Sequence, residues 1–387
     1  MADGIDGINS AADVGEPPNP SLEDPCGERE AVRRRLLAGR AAGDGAGPAG
    51  PDAFDTFLSG RVFMDMIFTG LAGLPPPGTE FVTDGLGSAP GGVANIAIAM
   101  SRLGLRVGLA AAFGDDMFGA YLWRALSEQE GVGLGLSRRV IGWPTPVTVS
   151  LAYGTDRSLV TYTKPLPIPE DDLVVAAPPA RICFIEVDRP VPDWAITMRG
   201  RGTTVFSDLG WDPTEAWSTA VLDRLRHVDV FLPNAVEAMA YTRTSSAEEA
   251  LDALAARVPI VAIKLGGHGA IAADATTGER VTAPALPIHP LDPTGAGDVF
   301  AAGFAFGTLA GWPLAERLRF ANLCAGLSVR HYSGSLGAPC WGDIAAFGES
   351  SEVPEEVLSD YAFVIPYIPE AATETVTRAE PTLRHQT

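Results

Sequence analysis

A carboxylate placed directly after three small residues is the strongest chemical signal in this sequence. Residues 291–304 read LDPTGAGDVFAAGF, and the Gly-Ala-Gly segment at 295–297 is predicted to open a helix with Asp298 in its first turn. Small residues at a helix start let a ligand approach the backbone, where unpaired N–H groups and the helix dipole attract anions. Asp298 is then either an acid that favours the positive end of the helix or a general base that faces the same pocket.

A second glycine-rich helix start lies earlier in the chain. Residues 90–104 read PGGVANIAIAMSRLG, in which Gly91 and Gly92 precede a predicted helix and Asn95 lies in its first turn. Asparagine near a helix start often caps the helix or bonds to the local backbone. The alternative is that the two glycines admit a ligand to the backbone and that Asn95 hydrogen-bonds its hydroxyl groups.

Asn234 and Glu237 form a third candidate pair at the end of VDVFLPN, residues 228–234. A predicted strand enters a helix there, which places both side chains at the carboxyl edge of a parallel sheet, the usual ligand crevice of open α/β folds. An N-cap Asn followed three residues later by Glu also resembles a capping box. The pair therefore indicates either a helix cap or a site for a metal ion and its waters.

Alternating strands and helices must position these three motifs. Buried apolar strands separated by helices predict a mainly parallel sheet with helices on both faces. The predicted strands are 61–68, 106–113, 181–187, 203–209, 228–234 and 260–266, and the predicted helices are 92–103, 117–130, 213–226, 235–241, 247–256, 296–310 and 314–331. Residues 145–163 instead alternate apolar and polar residues around Gly154 and Thr155, which predicts a hairpin with one exposed face, suited to a lid.

Composition limits the partners that this chain can have. Of its 387 residues, 46% are hydrophobic and 20% charged, so the chain has enough apolar residues to form a large core. Its length suits one large domain or two modest ones. The 28 basic and 48 acidic residues give a formal net charge of −20, which argues against binding to nucleic acid or to an anionic membrane. A bound anion must therefore be held by backbone amides or by a metal ion.

Cysteine usage and the chain start predict a cytoplasmic location. The four cysteines are scattered and form no CxxC pair, which argues against a disulfide scaffold and against a zinc site. The first ten residues carry acids where a secretory signal would carry basic residues and an apolar run. Residues 85–101 and 299–315 lack charged side chains but are too short and too polar to span a bilayer, so we expect buried helices there.

The two ends of the chain differ in composition from its middle. Residues 1–55 are rich in Gly, Ala and Pro, so we expect a flexible extension with one short helical candidate near 29–37. Residues 56–345 are expected to form the main domain. The acidic tail at 346–387 is expected to dock in part, through the apolar stretch at 363–369.

Taken together, the three motifs resemble those of the PfkB carbohydrate kinases, which phosphorylate sugars and some nucleosides with ATP. Residues 90–104 resemble the first signature of this family, residues 292–304 the second, and residues 234–237 its NxxE motif. The resemblance covers about residues 57–345. It implies a ribokinase-like, three-layer α/β/α fold with a mainly parallel central sheet and a small β lid, formed by parts of 66–90 and 143–165.

The resemblance also implies a role for each matched residue. Asp298 would take the proton from the acceptor hydroxyl, and Gly295, Ala296 and Gly297 would form the anion hole for the transferred phosphoryl group. The other matched positions are Asn234 and Glu237 for Mg²⁺ and its waters; Asp65, Gly91, Gly92, Asn95 and Glu186 for the sugar; Gly266, Gly269 and Asn322 for the nucleotide; and Asp292 and Thr294, with the loop at 333–337, for a monovalent cation such as K⁺. Lys264 is expected either near the ATP phosphates or as a solvated charge at a strand end.

Two residues depart from the family pattern. Ribokinases proper have Asn where this chain has Phe63, which removes a hydrogen-bonding group from the sugar site. Pro293 occupies the second position of the second signature; it keeps the turn but lacks an N–H group. Asp65 and Asn95 suit a polyhydroxylated ring, so we expect a free sugar rather than a nucleoside as the acceptor.

Other functions remain as alternatives. One alternative is a non-catalytic sensor of a sugar or nucleotide, but the presence of Asp298 and Glu237 argues against it. Another is a vitamin-precursor kinase of the same fold, which is not expected to have Gly91, Gly92 and Asn95. GAGPAG at 45–50 satisfies the dinucleotide-binding pattern, but no predicted strand precedes it. By analogy with relatives that dimerise through their lids, the predicted hairpin is also a candidate homodimer contact.

Overall fold

The structure is a computed structural model that describes residues 29–38, 53–83, 85–153, 156–209, 215–288, 290–331, 334–350 and 353–370. The strands are β1 (Phe54–Ser59), β2 (Val62–Leu71), β3 (Gly85–Gly92), β4 (Val107–Ala110), β5 (Ala112–Gly114), β6 (Arg138–Val140), β7 (Val147–Tyr153), β8 (Asp156–Tyr162), β9 (Ala180–Glu186), β10 (Thr204–Asp208), β11 (Val230–Phe231), β12 (Ile260–Lys264), β13 (Ala270–Asp274) and β14 (Glu279–Ala283). The α-helices are α1 (Arg29–Ala38), α2 (Val93–Arg102), α3 (Met117–Arg124), α4 (Asp193–Gly200), α5 (Ala220–Arg224), α6 (Ala235–Thr242), α7 (Ala247–Ala255), α8 (Ala296–Leu309), α9 (Leu314–Ser328), α10 (Trp341–Gly348) and α11 (Glu355–Ser359).

Within these ranges, eight strands form a central sheet in the order β14-β13-β12-β11-β10-β9-β1-β4. The strands from β12 to β4 pair in parallel, whereas β13 and β14 add an antiparallel edge. The carboxyl ends of the parallel strands therefore open along one edge, where open α/β sheets bind their ligands. The mainly parallel sheet predicted from the sequence is confirmed.

Both faces of this sheet are buried, and β9 shows how. Ile182 and Phe184 point into one core, which also contains the apolar side chains of α2, α8 and α9. Cys183 and Ile185, the residues between and after them, point into a second core formed with α4 to α7. Successive side chains of a strand alternate between faces, so an all-apolar strand needs helices on both sides. The result is the expected three-layer α/β/α arrangement.

The early strands differ from the prediction. The run at 61–68, expected among the strands of the α/β layers, forms β2 and belongs to a separate four-stranded sheet in the order β3-β2-β7-β8. Its residues 66–68 also fall in the range 66–90, parts of which were expected in the lid. The central position between β9 and β4 is taken by β1, which begins inside the segment expected to be flexible. Phe57 and Leu58 are fully buried on opposite faces there, which explains why this segment is ordered. Residues 85–101 are likewise helical only from Val93, because β3 occupies 85–92.

The second sheet forms the predicted lid. β7 and β8 pair antiparallel from Val147 with Tyr162 to Tyr153 with Asp156, which matches the predicted hairpin, whose tip at 154–155 lies outside the described residues. The start of β7 is held by Asp116, whose carboxylate accepts hydrogen bonds from the Thr145 N–H and hydroxyl groups. The lid is thus attached to the N-terminus of α3.

Both terminal segments contribute to the fold where they are described. Val32 and Leu36 of α1 are buried in the core, and Arg35 donates a hydrogen bond to the Ile368 carbonyl at 2.9 Å. The flexible extension expected over 1–55 therefore does not apply to α1, because its apolar face is buried, nor to β1. Residues 1–28, 39–52 and 371–387 of the two predicted extensions lie outside the described residues. None of the helices within the described ranges is long and apolar enough to cross a membrane.

Candidate active site

Asp298 lies in the first turn of α8, where α2 approaches it from the side. Asn95 of α2 donates a hydrogen bond from Nδ2 to Oδ2 of Asp298 at 2.8 Å. Burial raises the pKa of Asp298 to about 6; the Asn95 hydrogen bond and the charge of Lys264 lower it, while the charge of Asp208 raises it. A carboxylate with a pKa near neutrality is suited to accept a proton.

The backbone before Asp298 forms the small-residue helix start predicted from the sequence. Gly295 is the N-cap of α8, and its φ of 78° is a conformation that side-chain-bearing residues rarely adopt. The Ala296 N–H donates to the Pro293 carbonyl at 3.2 Å, so this N–H group of the predicted anion hole is already paired within the turn. A Cβ added to Gly297 would lie only 3.3 Å from the Lys264 ammonium nitrogen, so glycine lets this cation approach the helix start.

Lys264 is not the solvated strand-end charge that the sequence allowed. Its side chain is 14% exposed and forms an ion pair with Asp208 of β10. Asp208 lies beside Glu186 at the carboxyl ends of neighbouring parallel strands, since the two residues are register partners. Asp208 was missed by the sequence reasoning, although an acid at a strand end, like Glu186, was a usable signal.

Two cavities meet at the start of α8. One, of about 240 Å³, is lined by Lys264, Gly266, Gly269, Ala296, Gly297 and Asn322 among others. The other, of about 180 Å³, is lined by Gly92, Glu186, Asp208 and Asp298 together with apolar side chains. The consecutive residues Gly297 and Asp298 therefore face different cavities, and so do the two members of the Lys264–Asp208 ion pair.

Asp65 lies in β2 of the lid sheet and explains why position 91 is a glycine. A Cβ added to Gly91 would lie 2.0 Å from Oδ2 of Asp65, so only glycine leaves room for this carboxylate. The close approach of Asp65 is thus an intramolecular reason for glycine at position 91, and ligand binding at Gly91 stays a prediction. Burial, and then the charge of Asp298, raise the pKa of Asp65 to about 7.

Asn234 and Glu237 form the capping box that the sequence offered as one alternative. The Asn234 side chain accepts from the Glu237 N–H at 2.9 Å, and Oε2 of Glu237 accepts from the Asn234 N–H at 3.0 Å. Burial, and then the charge of Asp208, raise the pKa of Glu237 to about 7. The capping box thus keeps the Glu237 carboxylate buried and close enough to Asp208 for the two charges to interact. Metal binding by Glu237 is compatible with this arrangement.

Asp292 and Thr294 lie in the turn before α8. The Thr294 N–H donates to Oδ1 of Asp292 at 2.9 Å. The other carboxylate oxygen of Asp292 and the hydroxyl oxygen of Thr294 are buried and have no hydrogen-bond partner among the described residues. Buried oxygens are rarely left unpaired, so these two suit a partly dehydrated cation.

Of the positions expected near the nucleotide, Gly266, Gly269 and Asn322 all line the cavity of about 240 Å³. The Asn322 side chain donates from Nδ2 to the carbonyls of Ala283 and Pro284, at 3.0 Å each. Its amide nitrogen therefore holds the cavity wall in place.

Comparisons with known proteins agree with this geometry. The sequence model described as pfkB family carbohydrate kinase matches residues 76–340. A 5-dehydro-2-deoxygluconokinase of Geobacillus kaustophilus is 27% identical over 71% of this chain and 88% of the relative. A ribokinase of Bacillus subtilis is 27% identical over 72% of this chain and 94% of the relative.

A solved structure shows the same fold. The structure of Arabidopsis thaliana ribokinase complexed with ribose and ATP has a TM-score of 0.64 and 24% identity, covering 76% of this chain and 98% of that chain. This likeness shows the ribokinase-like fold that the sequence motifs predicted. Because the family pattern matches most of the chain, including the stretch from Gly91 to Asp298 that builds the site, the protein belongs to the pfkB family of carbohydrate kinases.

Proposed function

We propose that this protein transfers the terminal phosphoryl group of ATP to a hydroxyl group of a small sugar. The observation that carries the proposal is the start of α8, where Gly297 faces one cavity and Asp298 the other. A phosphoryl group in transfer must pass between a donor and an acceptor held in line. We assign ATP to the cavity of about 240 Å³ and the sugar to the cavity of about 180 Å³.

Asp298 acts as the general base in this proposal. The acceptor oxygen forms a bond to the γ-phosphorus while the bond from that phosphorus to the bridging oxygen of ADP breaks, and the hydroxyl proton moves to the Asp298 carboxylate. Asn95, which donates to Oδ2 of Asp298, fixes the direction of the carboxylate. Correct placement of such a base contributes about 10²–10⁴-fold to a rate.

The phosphoryl oxygens are stabilised mainly by the backbone. Gly295 and Gly297 supply the backbone at the start of α8, whereas the Ala296 N–H already donates to the Pro293 carbonyl. Lys264 brings one ammonium group next to Gly297. With a net charge of −20, the protein as a whole repels a nucleotide, so local donors must supply the attraction. Preorganised donors of this kind are usually the largest contribution to catalysis.

A magnesium ion fits the carboxylates beside this helix start. Hard oxygen ligands such as Glu237 and Asp208 are those that Mg²⁺ prefers, directly or through water. The Asp208 charge raises the pKa of Glu237, and a divalent cation would relieve the repulsion behind that shift. When bound, Mg²⁺ supplies shielding of the negative charge on the phosphates.

A monovalent cation fits the turn before α8. The buried, unpartnered oxygens of Asp292 and Thr294 lie next to the anion hole. K⁺ is weakly hydrated and would supply a fixed positive charge there. This charge would stabilise the turn that carries the Asp292 and Thr294 oxygens, and this turn positions Gly295.

A sugar is the acceptor class that we favour over a nucleoside. The acceptor cavity is lined by the carboxylates of Glu186, Asp208 and Asp298, which suit the hydroxyl groups of a polyhydroxylated molecule. The similar proteins are named 5-dehydro-2-deoxygluconokinase and ribokinase, which supports a small sugar or sugar derivative.

We also propose a homodimer through the lid. Leu159, Val160 and Tyr162 of the outer strand β8 are exposed, and an unpaired strand with apolar side chains favours a partner strand. Sedimentation of the wild type and of Val160→Glu tests this. A dimer that Val160→Glu dissociates supports it, and a wild-type monomer at all concentrations rejects it.

The central experiment is an ADP-release screen of sugars and nucleosides with Mg·ATP and potassium chloride. We expect a sugar to stimulate ADP release in the wild type and not in Asp298→Asn. Faster release with nucleosides than with any sugar would reject the acceptor assignment. Equal release from the wild type and Asp298→Asn would reject the assignment of the base.

A further inference from the structure

A fully buried ion pair joins the end of α2 to the body of the protein. Arg102 donates from Nε to Oε2 of Glu130 at 3.0 Å and from Nη2 to Oε1 at 2.8 Å. The two side chains are 4% and 0% exposed. Removing two charges from water costs several kcal/mol per ion, which their attraction recovers only with good geometry and further hydrogen bonds. The pair therefore depends on its bidentate geometry and on the further hydrogen bonds that Arg102 makes.

The remaining donor group of Arg102 reaches a different part of the chain. Nη1 donates to the carbonyl oxygens of Leu336 and Ala338, both at 2.8 Å. These carbonyls belong to the short 3₁₀ turn at Gly334–Gly337 and the residue after it. Hydrogen bonds from a charged donor are shorter and stronger than neutral ones. The guanidinium thus binds one carbonyl group of this turn, that of Leu336, and one directly after it, that of Ala338.

The same turn is tied to the first sequence signature. Ser335, which is fully buried, donates from its hydroxyl to the Pro90 carbonyl at 2.6 Å. Pro90 directly precedes Gly91, which leaves room for the Asp65 carboxylate, and Gly92, which lines the acceptor cavity. Both ends of the 90–102 segment therefore hold the turn.

The opposite side of the turn contacts the start of α8. A Cβ added to Gly295 would lie 3.6 Å from the carbonyl carbon of Gly334, and one added to Gly334 would lie 3.8 Å from Cγ2 of Thr294. The unpartnered oxygens of Asp292 and Thr294 are in this turn before α8. Movement of the 334–337 turn would therefore change the space next to these two oxygens, where we place the monovalent cation.

We propose that Arg102 is a positioning residue that holds the 334–337 turn against the anion hole and thereby sets the affinity for the monovalent cation. The inference rests on the cation site of the proposed function. Arg102 lines neither of the two cavities described above, so its effect passes through the carbonyls of Leu336 and Ala338. A lysine carries no planar fork and cannot reproduce the bidentate bond to Glu130 together with both carbonyl bonds.

Arg102→Lys and the double variant Arg102→Met/Glu130→Gln test the proposal. The double variant leaves no unpaired buried charge, so it remains informative if a single variant fails to fold. Arg181→Met is the matched control, because Arg181 is also a buried arginine that pairs with a carboxylate, Asp55, and donates to a backbone carbonyl, that of Leu309. Leu309 is the last residue of α8, at the end of that helix opposite to Asp298.

Two readouts are measured against potassium concentration at constant ionic strength, with choline as the balancing cation. One is the melting temperature without substrates, and the other is the rate of ADP release. For the wild type we expect potassium to raise both. For both Arg102 variants we expect the half-saturating potassium concentration to rise about tenfold in both readouts. A tenfold change in affinity corresponds to the free energy of about one strong hydrogen bond. Arg181→Met should lower the melting temperature and keep the wild-type half-saturation.

Each outcome decides the inference. An unchanged half-saturation in the Arg102 variants, or an equal rise in Arg181→Met, overturns it. If ADP release proceeds but potassium affects neither readout of the wild type, the cation site and this inference fail while the kinase assignment stands. If no sugar supports ADP release but the melting temperatures shift as expected, the inference holds and the proposed activity fails.

Discussion

Nδ2 of Asn95 lies 2.8 Å from Oδ2 of Asp298, so a hydrogen bond joins the two glycine-rich helix starts. Asn95 was expected to contact the sugar, and the structure assigns its donor group to the candidate base. Its carbonyl oxygen is buried without a partner among the described residues, which leaves an acceptor for a hydroxyl group. We therefore propose that the same side chain orients Asp298 and accepts a hydrogen bond from the sugar.

Replacing Asp298 by Asn should remove the base and keep nucleotide binding. We expect kcat to fall by about 10²–10⁴-fold, because the acceptor proton loses its destination. The ATP-induced rise in melting temperature should remain, since Gly297 and Lys264 on the donor side are unchanged. An unaltered kcat would remove Asp298 from this role.

The pH dependence of kcat/KM should report the ionisation of Asp298. The carboxylate must be deprotonated to accept a proton, so activity should fall as the pH drops through about 6. Because the Asn95 hydrogen bond lowers the pKa of Asp298, Asn95→Ala should move this acid limb to higher pH. Asn322→Ala is the control, as its amide donates to the carbonyls of Ala283 and Pro284. A limb that does not move in Asn95→Ala would contradict the assignment.

Glu237→Gln and Asp208→Asn should each raise the Mg²⁺ concentration needed for half-maximal activity, by about tenfold for the loss of one strong ligand contact. Glu249→Gln is a matched control, because Glu249 is also an acid in the first turn of a helix but is exposed. The measurement is a Mg²⁺ titration at fixed ATP. Identical titrations for Glu237→Gln and Glu249→Gln would exclude Glu237 from the metal site.

Asp65→Asn should weaken acceptor binding and stabilise the ligand-free protein at alkaline pH. The pKa of Asp65 rises from 3.8 to about 7 in the folded state, so the folded protein holds a proton that the unfolded chain releases. Stability from this group is therefore lost as the pH rises between these values. At about pH 8 the variant should melt a few degrees higher, since 1 kcal/mol corresponds to roughly 2–4 °C in a domain of this size class.

The comparison for Asp65→Asn is Asp171→Asn, at an exposed position on the chain. It should change neither the melting temperature nor the KM for the sugar. A lower melting temperature of Asp65→Asn at alkaline pH would show that the carboxylate stabilises the fold, contrary to the expectation.

Leu36→Ala should destabilise the protein because α1 is part of the core. Leu36 is 1% exposed, and truncation of a buried leucine costs about 2–5 kcal/mol. Arg34→Ala, at an exposed position of the same helix, should cost less than Leu36→Ala. Urea unfolding measures both, and equal midpoints for the wild type and Leu36→Ala would mean that α1 does not pack as described.

The sequence by itself determined the α/β class, the hairpin of the lid and the three motifs of the site. These are local properties: glycine next to a helix start, acids at strand ends and the alternation of apolar residues are all legible within about fifteen residues. Asn95 and Asp298 of the two helix starts are 203 positions apart, yet both starts were recognisable because each satisfies a local geometric requirement.

Only the tertiary structure decided how these pieces combine. It placed the first part of β2, before residue 66, in the lid sheet, β1 in the central sheet and α1 on the core, because burial depends on which surfaces meet and not on local composition. It paired Lys264 with Asp208 and gave Gly91 its reason in Asp65. Such contacts join residues distant along the chain, and no pattern within one segment encodes the partner on another.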